Sequence, residues 1–163
     1  MSRTDELLNN ARAYADSFDK GDLPMPPGLG VAVVACMDAR VNVYGILGLT
    51  EGEAHVIRNA GGVISEDTIR SLAISQRLLG TTELILIHHA DCGMRTFSDE
   101  EFKAQIETDT GIRPAWNPEA FADSAADIRQ SINRVKASPI LPHTDQVRGF
   151  VYDDKTGVLT EIS

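Results

Sequence analysis

Cysteine is scarce in this sequence. Cys36 and Cys92 are the two it has. So few exclude a disulfide-stapled secreted scaffold, and with no Cys-x-x-Cys pair they also exclude a dithiol redox enzyme. Positive charge is short as well: 15 Lys and Arg stand against 24 Asp and Glu, a formal net charge of -9. Nucleic acid and anionic membranes need a basic face, so neither is expected as a partner. No apolar run reaches the roughly 20 residues of a membrane-spanning helix. The opening Met1 to Glu6 lacks the basic-then-apolar order of a signal peptide. There are no repeats and no low-complexity segments. The expectation is a soluble, cytoplasmic chain forming one domain, since 163 residues at 42% hydrophobic content can build a core without staples.

Ser2 or Thr4 can cap a first helix, on which Leu7, Ala11, Tyr14 and Phe18 recur at helical spacing. Gly21 and Pro24-Met25-Pro26-Pro27-Gly28 end it in a stiff linker. Residues 1–28 therefore read as a helical arm and linker, and 29–163 as the catalytic core; spacing alone slightly favours an arm packed on its own core. Continuous apolar runs predict buried strands at Gly30 to Ala35, Ala54 to Ile57 and Glu83 to His88, with a fourth near Val147 to Tyr152. A turn at Asp153 to Gly157 leads to a last, antiparallel strand, Val158 to Ile162. Helices are expected at Val41 to Leu49, after Ser65 up to Gly80, from the Ser98 capping box to about Asp109, and from Asn117-Pro118 to Lys136. The class is α/β: a mostly parallel central sheet of four parallel strands plus a C-terminal antiparallel strand, flanked by helices, with an N-terminal helical arm.

Two stretches carry the chemistry. Cys36-Met37-Asp38-Ala39-Arg40 and His89-Ala90-Asp91-Cys92-Gly93 each follow a strand, and ligands in open α/β sheets gather at the carboxyl ends of strands. Adjacent parallel strands would bring Cys36, His89 and Cys92 together. Two thiolates and an imidazole suit Zn2+, and three protein ligands leave a fourth position open, as in catalytic rather than structural sites. Side chains alternate along a strand, so His88 and His89 cannot both face the metal; His89 is favoured. Asp38 can accept a proton from an activated water, or become a fourth ligand that closes the site, while Arg40 keeps it ionised. Two thiolates cancel the zinc charge, so the site should acidify water less than three imidazoles would. Arg58-Asn59-Ala60-Gly61 also falls at a strand end, where backbone N–H groups of Ala60 and Gly61 can line a pocket with Gly93.

These motifs together resemble those of the β-class carbonic anhydrases, and the length and neighbouring segments resemble the small bacterial and mycobacterial branch. The resemblance implies a zinc held by Cys36, His89 and Cys92, and an Asp38–Arg40 pair steering a hydroxide onto carbon dioxide to give bicarbonate. It also implies a homodimer or a tetramer of dimers, with the N-terminal helix embracing the partner and active sites near the interface. Two positions depart from plant-type members: Thr50-Glu51-Gly52 replaces their Gln-Pro-Gly, and His55 stands where they place an aromatic. Carbonyl sulfide hydrolases resemble the same branch and share the zinc motif, so hydrolysis of that substrate is the alternative. A non-catalytic zinc-binding homologue is a second alternative, which intact Asp38 and Arg40 argue against.

Overall fold

The computed structural model describes residues 2–163. Helix α1 spans Arg3–Asp16, and Ser2, rather than Thr4, caps it. The Ser2 Oγ accepts the Asp5 N–H at 3.2 Å while the Asp5 carboxylate accepts the Ser2 N–H at 2.8 Å, a reciprocal capping box. The apolar stripe is there, but α1 buries none of its residues; Leu7 is 66% and Tyr14 54% exposed. Its tether to the body is a hydrogen bond from the Tyr14 hydroxyl to Glu51 at 3.2 Å. The expected self-packing is therefore not observed.

Five strands follow: β1 (Val31–Cys36), β2 (Ala54–Asn59), β3 (Glu83–His89), β4 (Val147–Tyr152) and β5 (Leu159–Ile162). Their order is β2-β1-β3-β4-β5, parallel except for the β4–β5 pair. Alternation along β1 divides the core in two. Ala32 and Val34 face Leu72 of α3 (Glu66–Leu79) and Ile128 and Val135 of α5 (Ser124–Lys136). Val33 and Ala35 face the opposite side, with Val43, Ile46 and Leu47 of the short helix α2 (Val43–Leu47). The chain runs from β1 outward to β2, then returns to place β3 on the other flank of β1. That reversal opens a crevice between the carboxyl ends of β1 and β3, where such sheets bind ligands.

Element ends depart from sequence expectation where side chains intervene. Helix α5 begins at Ser124, not Asn117, because Asp123 caps it by accepting the Ala126 N–H at 2.7 Å. Residues 117–123 stay irregular: the Glu119 and Ala120 N–H groups donate to Asp99, at the head of α4 (Asp99–Thr110), at 3.2 and 2.7 Å. Glu119 is held at a φ of 64°. Helix α2 is shorter than Val41 to Leu49, being capped by Asn42 and stopped by left-handed Gly48. Arg58 and Asn59, read as loop, complete β2, where Cys36 is the register partner of Asn59.

Candidate metal centre

The register places Ala35 beside Ile87, so Cys36 and His89 leave the sheet next to each other. A short turn after β3 then returns Cys92 to them. One ligand atom each from Cys36, His89 and Cys92 lies within 4.8 Å of the others, and all three residues are buried. The two sulfurs are 4.0 Å apart. Sulfurs bound at about 2.3 Å in a tetrahedral site lie roughly 3.8 Å from each other, so the spacing fits one shared zinc ion. Nε2 of His89 is buried without a hydrogen-bond partner. A buried polar atom left bare costs free energy unless something binds it. This orphan, aimed at two soft sulfurs, is what a metal ligand looks like before the metal is counted.

The ring is set from behind. Nδ1 of His89 donates to Asp154 at 2.8 Å, and Ser124 Oγ donates to the His89 carbonyl at 2.9 Å. Burial would lower the His89 pKa, but the neighbouring Cys36 sulfur and the Asp154 carboxylate outweigh it and the net shift is upward. The cysteines divide. Hydrogen bonding from Cys92, opposed by burial and helped by His89 and the Asp38 and Gly61 backbone, lowers Cys36 to about 4. Cys92 is raised by the same hydrogen bond and by burial.

Asp38 and Arg40 form a two-pronged pair. Arg40 donates from Nε and Nη2 to the two Asp38 oxygens at 2.9 and 2.8 Å, and its backbone N–H adds a third bond at 2.9 Å. These bonds hold the Asp38 carboxyl well below the usual carboxylate range. Its Oδ2 lies 3.8 Å from His89 Nε2, beside the three-ligand group without belonging to it. Arg58 braces the same loop, donating to the carbonyls of Cys36 at 2.6 Å and Asp38 at 2.8 Å.

In front of the ligands opens a cavity of about 620 Å³. Ala60, Gly61 and Gly93 line it, as the sequence predicts, and so do Cys36, Cys92 and Asp38. The Gly61 backbone is among the groups that lower the Cys36 thiol. Gly62 admits no side chain: its φ is 66°, and a Cβ there would come within 2.7 Å of the Cys36 nitrogen. Met94, Phe97, Phe102 and Trp116 give the cavity an apolar wall that the motifs do not announce. His55 lies outside it, bonded through Nδ1 to Ser75 at 2.7 Å, and Thr50 uses its N–H on Glu53. His88 faces the other side of the sheet, bonded to Asp127 at 2.7 Å and stacked on Phe121.

Arg58 and Asp91 stand within the motifs and Asp154 within a turn, but the sequence assigns none of the three a role and gives no sign of the aromatic wall. The one available signal concerned Asp154: parallel pairing of β4 with β3 sets Tyr152 beside His89 and brings the following turn to the ligands.

Known proteins resemble this chain in sequence and fold. Residues 31–137 match the carbonic anhydrase family profile. Beta-carbonic anhydrase 1 of Mycobacterium tuberculosis is 56% identical over 163 residues, 100% of this chain and 99% of the relative. A carbon disulfide hydrolase of an Acidianus strain is 38% identical over 110 residues, 68% of this chain and 52% of the relative. The crystal structure of a carbonic anhydrase from Streptococcus mutans superposes with a TM-score of 0.93 at 39% identity, covering 100% of this chain and 99% of that one. With the Cys-His-Cys triangle at the sheet's switch point, these likenesses make the chain a member of the β-class carbonic anhydrase family.

Proposed function

We propose that this protein catalyses the reversible hydration of carbon dioxide to bicarbonate and a proton on a zinc ion held by Cys36 Sγ, His89 Nε2 and Cys92 Sγ. The observation that carries this reading is the bare, buried Nε2 of His89 facing two sulfurs 4.0 Å apart. When bound, zinc acts as a Lewis acid that makes water a nucleophile near neutral pH. Asp38 then has a defined task. Arg40 holds its carboxylate by three N–H bonds and keeps it ionised, so a remaining lone pair accepts the attacking water's hydrogen and aims the oxygen. The apolar wall of Met94, Phe97 and Phe102 receives an uncharged, linear substrate and disfavours competing water.

A second reading, hydrolysis of a sulfur-containing relative such as carbonyl sulfide or carbon disulfide, is favoured by the Acidianus enzyme's name and by an apolar cavity wide enough for sulfur. Stopped-flow hydration by the zinc-loaded protein at mildly alkaline pH, run beside a sulfide-release assay, separates the two. The expected result is zinc-dependent hydration at least about 10⁶-fold above the uncatalysed rate, with little sulfide. Efficient sulfide release with feeble hydration would transfer the function to the sulfur substrate. Neither activity would leave a non-catalytic zinc protein.

The proposal extends to assembly. Residues 1–28 are read as an arm and 29–163 as the catalytic core of one domain; α1 exposes Leu7, Leu8 and Tyr14, Phe18 just after it is exposed too, and none of these is buried among the described residues. A second copy is the natural cover, which makes a homodimer the smallest unit. Sedimentation equilibrium should give at least twice the 17.7 kDa chain mass, and a single-chain mass at micromolar concentration would refute this. Two unbridged cysteines as ligands support a reducing compartment, the cytoplasm, as the place where the chain works.

A further inference from the structure

The turn between β4 and β5 lies beyond the segment that matches the family profile, which ends at residue 137. It nevertheless reaches the candidate metal centre through one side chain. Asp154 is 4% exposed, and each of its carboxylate oxygens accepts a different N–H. Oδ1 takes His89 Nδ1–H at 2.8 Å, and Oδ2 takes the backbone N–H of Asp91 at 2.8 Å. The turn that presents it is itself fixed. Asp153 accepts the N–H groups of Lys155 and Thr156 at 2.8 and 3.1 Å, and the Ala90 N–H bonds the Tyr152 carbonyl at 2.9 Å.

We propose that Asp154 is a positioning residue for the metal centre: one carboxylate fixes the tautomer of His89 and pins the turn that carries Cys92. The inference rests on the zinc reading given above. A neutral imidazole carries one proton, and whichever nitrogen holds it cannot ligate a metal. An acceptor at Nδ1 draws the proton there and leaves the Nε2 lone pair facing the sulfurs, which is where the orphaned atom is found. The second oxygen acts on the backbone. By holding Asp91 N–H it fixes the residue before Cys92, and the same Asp91 accepts Arg40 through its side chain at 2.7 Å and its carbonyl at 2.9 Å. Asp154 thus ties the metal ligands to the Asp38–Arg40 pair without touching either partner.

Aspartate is the residue this requires. Asparagine offers one acceptor oxygen and one amide donor, so Asp154→Asn can satisfy one of the two N–H groups and sets a donor against the other. The His88–Asp127 pair supplies an internal control. It is also a buried histidine bonded to a carboxylate at 2.7 Å, on the opposite face of the sheet and outside the three-ligand group.

The test uses the full-length, zinc-loaded chain and follows transfer of zinc to an excess of chromogenic chelator. Asp154→Asn should release zinc about 10- to 100-fold faster than the wild type. Asp127→Asn should release it at the wild-type rate even where its melting temperature falls. Equal release from Asp154→Asn and wild type would overturn the proposal, as would equal acceleration in both variants, which would mean loss of stability alone. Should Asp154→Asn not fold, nitrogen-15 NMR of wild-type histidines decides: a protected Nδ1–H on His89 supports the role, and an Nδ1 proton in fast exchange with water overturns it. Zinc release is independent of turnover. A chain that holds zinc but hydrates no carbon dioxide would remove the proposed reaction and leave Asp154 in place. A wild-type chain that takes up no zinc would remove both.

Discussion

Cys92→Ala is expected to hold no zinc and to hydrate no carbon dioxide above background. The two remaining ligands, Cys36 and His89, leave half the tetrahedron to water, and the nearby Asp38 carboxylate stands outside the triangle, held by Arg40. Stability distinguishes loss of a ligand from loss of packing. Cys92 sits in a small cluster with Cys36 and Met94, so removing one sulfur atom should cost about 1 kcal/mol in contacts. Zinc at a thousandfold above its dissociation constant stabilises a folded protein by about 4 kcal/mol. Thermal unfolding with and without added zinc should therefore show a clear zinc-dependent rise in melting temperature for the wild type and almost none for Cys92→Ala. Full zinc occupancy in the variant, measured by metal analysis after dialysis, would remove Cys92 from the ligand set.

The candidate ligands could be read from sequence because their neighbours announce strand ends. Val31 to Ala35 and Leu84 to Ile87 are apolar on both faces, which only a sheet covered on both sides tolerates, and the polar motifs begin where those runs stop. Alternation then assigns His89 to the site and His88 to the α5 side, as found. What sequence could not supply was capture by distant side chains. Asn117-Pro118 has the pattern of a helix start, yet Asp99 takes the N–H groups of Glu119 and Ala120, and the helix waits for Asp123. Nothing local to Asp153-Asp154-Lys155-Thr156-Gly157 distinguishes a plain hairpin turn from one that grips a ligand. That distinction depends on β4 pairing with β3 in parallel register, a tertiary fact. The apolar stripe of α1 illustrates the converse case: its period is legible, but nothing among the described residues buries it. The aromatic wall fails for a similar reason, since Phe97, Phe102 and Trp116 converge from a loop, a helix and an irregular segment that share no periodicity.

Asp38→Ala is expected to keep its zinc and lose about 10²- to 10⁴-fold in turnover, the range typical of a positioned proton acceptor. Zinc should stay because Asp38 stands outside the ligand triangle, its nearer oxygen 3.8 Å from His89 Nε2. Turnover should fall because nothing else on this edge can take over the task. Arg40 bears only donors, and Asp91 is already bonded to it at 2.7 Å and 72% exposed. The loop itself should survive the substitution: Arg40 retains its bonds to Asp91, and Arg58 still holds the carbonyls of Cys36 and Asp38. A carboxylate that only braced the loop would thus be dispensable here, and one that orients the attacking water would not. Asp38→Asn sharpens the comparison, because the amide keeps one acceptor oxygen but presents N–H to Arg40, so it should fall close to the alanine variant. Hydration kinetics on zinc-loaded samples of matched occupancy decide the matter. Wild-type turnover in both variants would make Asp38 a structural residue and move proton acceptance to a group beyond this pair.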